Sequence, residues 1–188
     1  MSDDERDGLL AAAIGLRELG RQEEARERLL ELAARLPEDA EIAYQTAWAH
    51  DVLGLEAEAV PHYERALKAT GPTGTGTAGP GTTSGTVPTG AKGLSEKDRK
   101  GALLGLGSTF RVLGRYEEAV AVLRGAVEEF PDDGALRTFL AMALFNTGDH
   151  HESARLLLRL LAATSDDPSV RRYRPAIEHY AEDLDETV

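Results

Sequence analysis

The sequence predicts an all-α fold of repeated helix pairs, with about nine helices in total. Three observations support this prediction. Alanine and leucine dominate the apolar residues, and aromatic residues make up only 5% of the chain, a composition that favours helices over strands. A glycine-containing motif recurs at a fixed spacing. Within each recurrence the apolar residues are three or four positions apart, which places them on one face of a helix.

The recurring motif contains one glycine in each unit, at Gly20, Gly54, Gly114 and Gly148. The separations between them are 34, 60 and 34 residues. The residues that end the second helix of each unit have the same separations, and they are Pro37, Gly71, Pro131 and Ser165. Two independent series with one spacing predict a repeat of 34 residues, with an insertion of 26 residues between the second and third units.

Each unit is predicted to form a helix, a tight turn and a second helix. In the third unit, Leu106 and Phe110 lie on one face of the first helix. Gly114 ends that helix in the left-handed conformation that glycine adopts without penalty, and Pro131 stops the second helix. Pro61 lies inside the fourth helix, where its missing N–H predicts a local kink. The predicted units span residues 6–39, 40–70, 96–133 and 134–167.

A ninth helix is predicted over residues 168–185, after the last unit. A helix in this place would cap the chain of repeats, because a terminal repeat otherwise exposes its core face. Its apolar stripe consists of Val170, Tyr173, Ile177, Tyr180 and Leu184.

The insertion, residues 71–94, consists mostly of glycine, threonine and proline. It has few apolar side chains to offset the entropy of ordering, so we predict a disordered loop within one domain of residues 1–188. Residues 74–79 match the glycine pattern of dinucleotide sites. No strand precedes them and no helix follows, so we attribute the match to composition. Residues 85–92 resemble a phosphate-binding loop, but Ala91 stands where that loop needs lysine.

Charge and residue content argue against several classes of function. The net charge of −12 opposes binding to nucleic acid or to an anionic membrane. The chain has no cysteine, which excludes disulfides and thiolate metal sites. The adjacent residues His150–His151 lack the spacing of a zinc site, and no catalytic triad can be grouped by spacing. We therefore predict no cofactor, no metal and no enzymatic activity, and the acidic start and short apolar runs predict a cytoplasmic location.

The period, the turn glycine and the terminal proline resemble the tetratricopeptide repeat. The resemblance covers residues 6–167 apart from the insertion, although Ser153 replaces the expected alanine and Ala12–Ala13 a leucine–glycine pair. It implies a right-handed α-solenoid of antiparallel helix pairs, whose first helices line a concave groove that binds a peptide or partner protein. The third unit matches best, at Leu103, Leu106, Gly107, Phe110, Gly114, Tyr116, Ala119, Ala126 and Pro131.

The resemblance also implies, by register, which residues line the groove. One variant of the family grips a C-terminal carboxylate with lysines and asparagines, but here such positions hold residues like Leu10 and Gln45. Because aromatic residues and arginine carry much of the energy in interfaces, we hypothesise that Tyr44 and Trp48 hold an apolar anchor and Arg111 a carboxylate. The alternative is that both rings pack between repeats. The predicted groove residues are Tyr44, Gln45, Trp48, Asp51, Leu104, Ser108, Arg111, Thr138, Met142 and Phe145.

The predicted function is an adaptor or scaffold that binds a partner protein or peptide. The alternative is a structural self-assembly module, in which the groove or an end helix docks on another copy to form a homo-oligomer. A monomer in solution favours the adaptor, whereas a stable dimer or filament favours the assembly module.

Overall fold

The computed structural model describes residues 1–68 and 93–185, and within these ranges it consists of α-helices and their connections. This confirms the all-α prediction. The insertion lies outside the described residues up to position 92, together with the motifs at 74–79 and 85–92. The nine helices of the described ranges are α1 Asp3–Glu18, α2 Gln22–Arg35, α3 Ala40–Asp51, α4 Glu56–Lys68, α5 Glu96–Val112, α6 Tyr116–Glu129, α7 Gly134–Thr147, α8 His150–Thr164 and α9 Pro168–Tyr180.

The turn between the two helices of each pair depends on glycine. The backbone φ angles of Gly20, Gly54, Gly114 and Gly148 are 78°, 70°, 73° and 91°, and no other described residue type has a positive φ. Glycine adopts this left-handed conformation without the steric cost that a Cβ atom would add. The prediction that these glycines end the first helices is confirmed.

The chain divides into two compact units, residues Met1–Thr109 and Phe110–Val188. In the first unit, α1 packs on α2, α2 on α3 and α3 on α4. In the second unit, α6 packs on α7, α7 on α8 and α8 on α9. From α1 to α4 and from α6 to α9, each helix therefore contacts the next along the chain, as in stacked helical hairpins. The boundary between the units falls within α5, and a single domain of residues 1–188 stays a prediction.

A small residue at one register position lets the paired helices approach closely. Ala25, Ala59 and Ala119 each follow a turn glycine by five positions, and all three are fully buried. Ser153 takes the equivalent place in the last pair and is 5% exposed. Its hydroxyl donates a hydrogen bond of 2.6 Å to the Ala141 carbonyl, so the buried polar group is satisfied. This departure from the repeat pattern is accommodated within the second unit.

A buried ion pair fixes the start of the first unit. The guanidinium of Arg6 on α1 donates to both carboxylate oxygens of Asp39, over 3.0 and 2.8 Å. It also pairs with Glu41 at 2.7 Å. The carboxylate of Asp39 accepts from the backbone N–H of Ile42, so it is the N-cap of α3 as well. These carboxylates raise the pKa of Arg6, chiefly through the hydrogen bond to Asp39.

A serine side chain caps the start of α5. The Ser95 hydroxyl accepts from the backbone N–H of Asp98 at 3.1 Å and donates to the Asp98 carboxylate at 2.6 Å. Leu94, which the prediction assigned to the loop, is only 6% exposed. Its apolar side chain therefore belongs to the first folded unit.

The last helix is shorter than predicted. The sequence predicts a helix over 168–185, whereas α9 ends at Tyr180. The chain turns there because Ala181 is fully buried and the Glu182 carboxylate accepts from Arg159 Nε of α8 at 3.1 Å. Pro175 lies inside α9, as Pro61 lies inside α4, and both helices continue past their prolines. The kink at Pro61 stays a prediction.

Candidate functional site

Of the two aromatic residues on α3, Tyr44 is buried and Trp48 is exposed. The rings of Tyr44 and Trp48 stack with centroids 6.1 Å apart and planes at 26°. Tyr44 is 8% exposed, whereas Trp48 is 40% exposed, and burial raises the pKa of the Tyr44 phenol. Of the two alternatives that the sequence left open, core packing therefore describes Tyr44, while Trp48 presents part of its ring to solvent.

Two glycines on α5 make room for the tyrosines of the first unit. A Cβ atom at Gly101 would collide with the Tyr44 hydroxyl, and one at Gly105 would collide with the Tyr63 hydroxyl. The rings of Tyr44 and Tyr63 also contact each other at 6.4 Å between centroids. These contacts hold Tyr44 in place beneath Trp48.

Arg17 of α1 also contacts this aromatic cluster. Its guanidinium carbon lies 3.7 Å from the centroid of the Trp48 ring, which is a cation–π contact. Its Nη1 donates a hydrogen bond of 2.8 Å to the Gln45 side-chain carbonyl, and Gln45 is 6% exposed. Burial is the largest influence on the pKa of Arg17 and lowers it. Arg17, Gln45 and Trp48 together form what we call the α1–α3 site.

Arg17 was missing from the predicted groove residues, although a signal for it exists. It lies three positions before a turn glycine, which is the register of Asp51, Arg111 and Phe145 in the other pairs. The repeat alone would therefore have placed it with the predicted set. The contact with the indole could not be found in this way, because it joins two helices.

Asp51 is predicted as a groove residue, and both oxygens of its carboxylate accept hydrogen bonds within the first unit. It accepts hydrogen bonds from the hydroxyls of Tyr63 at 2.7 Å and of Thr109 at 2.8 Å. Burial raises the pKa of Asp51, and the two hydroxyls oppose that shift. The carboxylate thereby links α3, α4 and α5 within the first unit. Leu104 and Ser108 of α5 are partly buried.

The predicted groove residues of the second unit form a separate group. The Arg111 side chain donates a hydrogen bond through Nε to the side-chain oxygen Oδ1 of Asn146 at 2.9 Å. On α7, Met142 and Phe145 are 40% and 61% exposed, and their spacing of three places them on one helix face. The Thr138 hydroxyl instead bonds the backbone carbonyl of Gly134 on its own helix, at 2.7 Å.

Comparison with known families and structures decides what kind of protein this is. A family model described as "Tetratrico peptide repeat" matches residues 88–184, which is more than half of the chain, and a second tetratricopeptide repeat model matches residues 10–74. The chain belongs to the tetratricopeptide repeat family. Repeats of this family are protein-interaction modules, which gives the coarse class of function. A search of curated proteins found no match.

Solved tetratricopeptide repeat structures share the fold at low sequence identity. A MamA double mutant has 17% identity and a TM-score of 0.63, and the alignment covers 98% of each chain. MamA from residue 41 of Desulfovibrio magneticus RS-1 has 17% identity and a TM-score of 0.62, with 99% of each chain covered. A third similar structure is Cut9 from the crystal structure of an APC/C hetero-tetramer of Cut9 and Hcn1. It has 16% identity and a TM-score of 0.66, and the alignment covers 94% of this chain and 29% of the Cut9 chain.

Two further findings concern the other predicted classes of function. Within residues 1–68 and 93–185, no group of three or more histidine, aspartate or glutamate side chains could hold a metal ion. No helix in these ranges has both the length and the apolar character needed to cross a membrane. The cytoplasmic location and the absence of enzymatic activity stay predictions.

Proposed function

We propose that this tetratricopeptide repeat protein is an adaptor that binds a partner protein or peptide, and that the α1–α3 site is its main contact. The observation that carries the proposal is the position of Trp48. Its ring is 40% exposed, yet it contacts both the Tyr44 ring and the Arg17 guanidinium. A large side chain that is already immobilised loses little conformational entropy on binding.

The residue types agree with this reading. Tryptophan, tyrosine and arginine are the residues that most often dominate the energy of protein interfaces. Trp48 supplies apolar area, and Arg17 supplies charge and a hydrogen-bond donor. The buried Tyr44 ring packs against Trp48. In the second unit, the exposed face of Met142 and Phe145 offers a further apolar contact surface for the same kind of partner.

The experiment is a peptide-display selection on the immobilised wild-type protein, followed by binding measurements with Trp48→Ala. We expect the affinity of the selected peptides to fall by about thirtyfold or more, which corresponds to about 2 kcal/mol for an interface hot spot. Leu19→Ala is the matched control, since Leu19 is a 76% exposed apolar residue of the same unit. Equal binding by wild type and Trp48→Ala would refute the proposal.

Self-assembly is the second candidate, and exposed apolar surface at two places favours it. A cavity of about 190 Å³ between α1 and α2 is lined by Leu9, Leu16 and Leu32 among others. On α9, Tyr173 and Tyr180 are 58% and 49% exposed. Light scattering on wild type and on Leu9→Glu tests this candidate. A concentration-dependent oligomer that Leu9→Glu converts to monomer would support it, and a monomer at all concentrations would exclude it.

A further inference from the structure

Arg17 is a partly buried cation that forms no ion pair with a carboxylate of the described residues, and the adjacent Glu18 favours its charged form only at longer range. The chain carries 33 acidic residues against 21 lysines and arginines, so a carboxylate is the commonest partner available. Two nearby arginines have such a partner, since Arg21 pairs with Glu24 and Arg28 pairs with Glu31. Arg17 instead binds the neutral amide of Gln45 and the face of the Trp48 ring.

This arrangement leaves part of the guanidinium open. Only Nη1 of Arg17 has an acceptor among the described residues. Nε and Nη2 have none, and neither is among the buried polar atoms that lack a partner, so neither is fully buried. A guanidinium edge with two free donors matches the two oxygens of a carboxylate.

We propose that the α1–α3 site recognises a carboxylate next to an apolar side chain, that is, an aspartate or glutamate beside a hydrophobic residue in a partner peptide. This inference rests on the proposed function and specifies the partner. The carboxylate pairs with the free edge of Arg17, and the apolar side chain packs on the exposed part of the Trp48 ring. Partial burial weakens hydration of the cation, so an arriving carboxylate replaces less water than it would at a fully exposed arginine.

The overall negative charge of the chain does not oppose this assignment. Interactions between exposed charges are screened beyond about 10 Å at 0.1 M salt. A contact pair at hydrogen-bond distance is screened much less, so the local cation decides which peptide binds. The remaining acidic surface disfavours other acidic segments, which adds selectivity for this one place.

The test uses the peptides from the display selection and compares each acidic peptide with its own amide counterpart. We expect the selected peptides to be enriched in Asp or Glu beside an apolar residue. Changing that Asp to Asn, or Glu to Gln, should weaken binding by about tenfold to a hundredfold, since a hydrogen bond between charged groups is lost. Because the protein is unchanged in this comparison, its folding cannot affect the result. Trp48 is the only tryptophan, so its fluorescence reports binding directly.

Protein variants identify the cation. Arg17→Gln should abolish the preference for the acidic peptide over its amide counterpart, while Arg17→Lys should keep part of it because the charge remains. Arg28→Gln is the matched control, since it removes an exposed arginine of the same unit that pairs with Glu31. It should leave the preference unchanged.

The outcomes separate the two proposals. Peptides that need Trp48 but show no acidic preference, or a preference that survives Arg17→Gln, would overturn this inference and leave the adaptor function standing. If no selected peptide needs Trp48, both proposals are overturned. An acidic preference that disappears in Arg17→Gln and persists in Arg28→Gln is the supporting result.

Discussion

The buried ion pair of Arg6 offers the sharpest test of how the first unit is held together. The Arg6 side chain is 9% exposed and that of Asp39 is 14% exposed. Replacing Arg6 with methionine keeps much of the apolar packing but removes the cation that pairs with Asp39 and Glu41, as well as with the more exposed Asp7. Removing one partner of a buried pair costs about 3 to 5 kcal/mol, because the other charge stays desolvated. Since both carboxylates here keep some contact with solvent, we expect about 3 kcal/mol.

The assay is urea unfolding followed by the fluorescence of Trp48, which lies in the same unit. With a slope of about 2 kcal/mol per molar urea, Arg6→Met should lower the unfolding midpoint by about 1.5 M. The control is Arg28→Met, whose pair with Glu31 joins two side chains that are both 65% exposed. That variant should change the free energy of unfolding by less than about 1 kcal/mol. Equal effects of the two variants would refute the argument that burial makes the Arg6 pair important.

Three further predictions test the turns, the aromatic packing and a partly buried histidine. Gly114→Ala should destabilise by about 1 kcal/mol because φ is 73° there, whereas Gly125→Ala, inside α6 with open space around it, should stabilise by about 0.5 to 1 kcal/mol in thermal melts. Gly101→Ala should displace the Tyr44 ring and shift the Trp48 emission spectrum; an unchanged spectrum would contradict this. Burial, then Arg65 and His50, lowers the pKa of His62 to about 4. The unfolded state therefore binds the proton first. The full shift corresponds to about 3 kcal/mol, and solvent screening of this partly exposed ring reduces it, so stability should fall by about 1 kcal/mol more between pH 6.5 and 4 than it does in His62→Gln.

The repeat elements could be predicted because their causes are local in the sequence. The turn glycines are needed for a left-handed φ, and a small residue five positions after each of them is needed for close packing. Both requirements recur at 34 residues and can be counted. The all-α fold and the positions of most helices follow from these two constraints and from apolar periodicity.

The candidate site could be predicted only in part, because its contacts join distant helices. Register placed Trp48 and Gln45 in the predicted groove set, but whether Trp48 is exposed depends on how Tyr44 packs against Gly101 of α5. Arg17 acquires its role only when α1 lies beside α3. The predicted end of α9 at residue 185 was wrong for the same reason. The chain turns after Tyr180, where Glu182 pairs with Arg159 of the preceding helix.

The contacts made by α5 in the first unit bear on the segment that precedes it. Asp51 bonds Thr109, which is 58 positions further along the chain, and the rings of Tyr44 and Tyr63 fit against Gly101 and Gly105. Side chains of α3 and α4 thus determine where α5 docks, and the connection between α4 and α5 need only be long enough to join them. Because closing a longer connection costs little additional entropy, we expect these contacts to form with a connection of a different length. A reporter or binding tag inserted there would leave the docking of α5 unchanged.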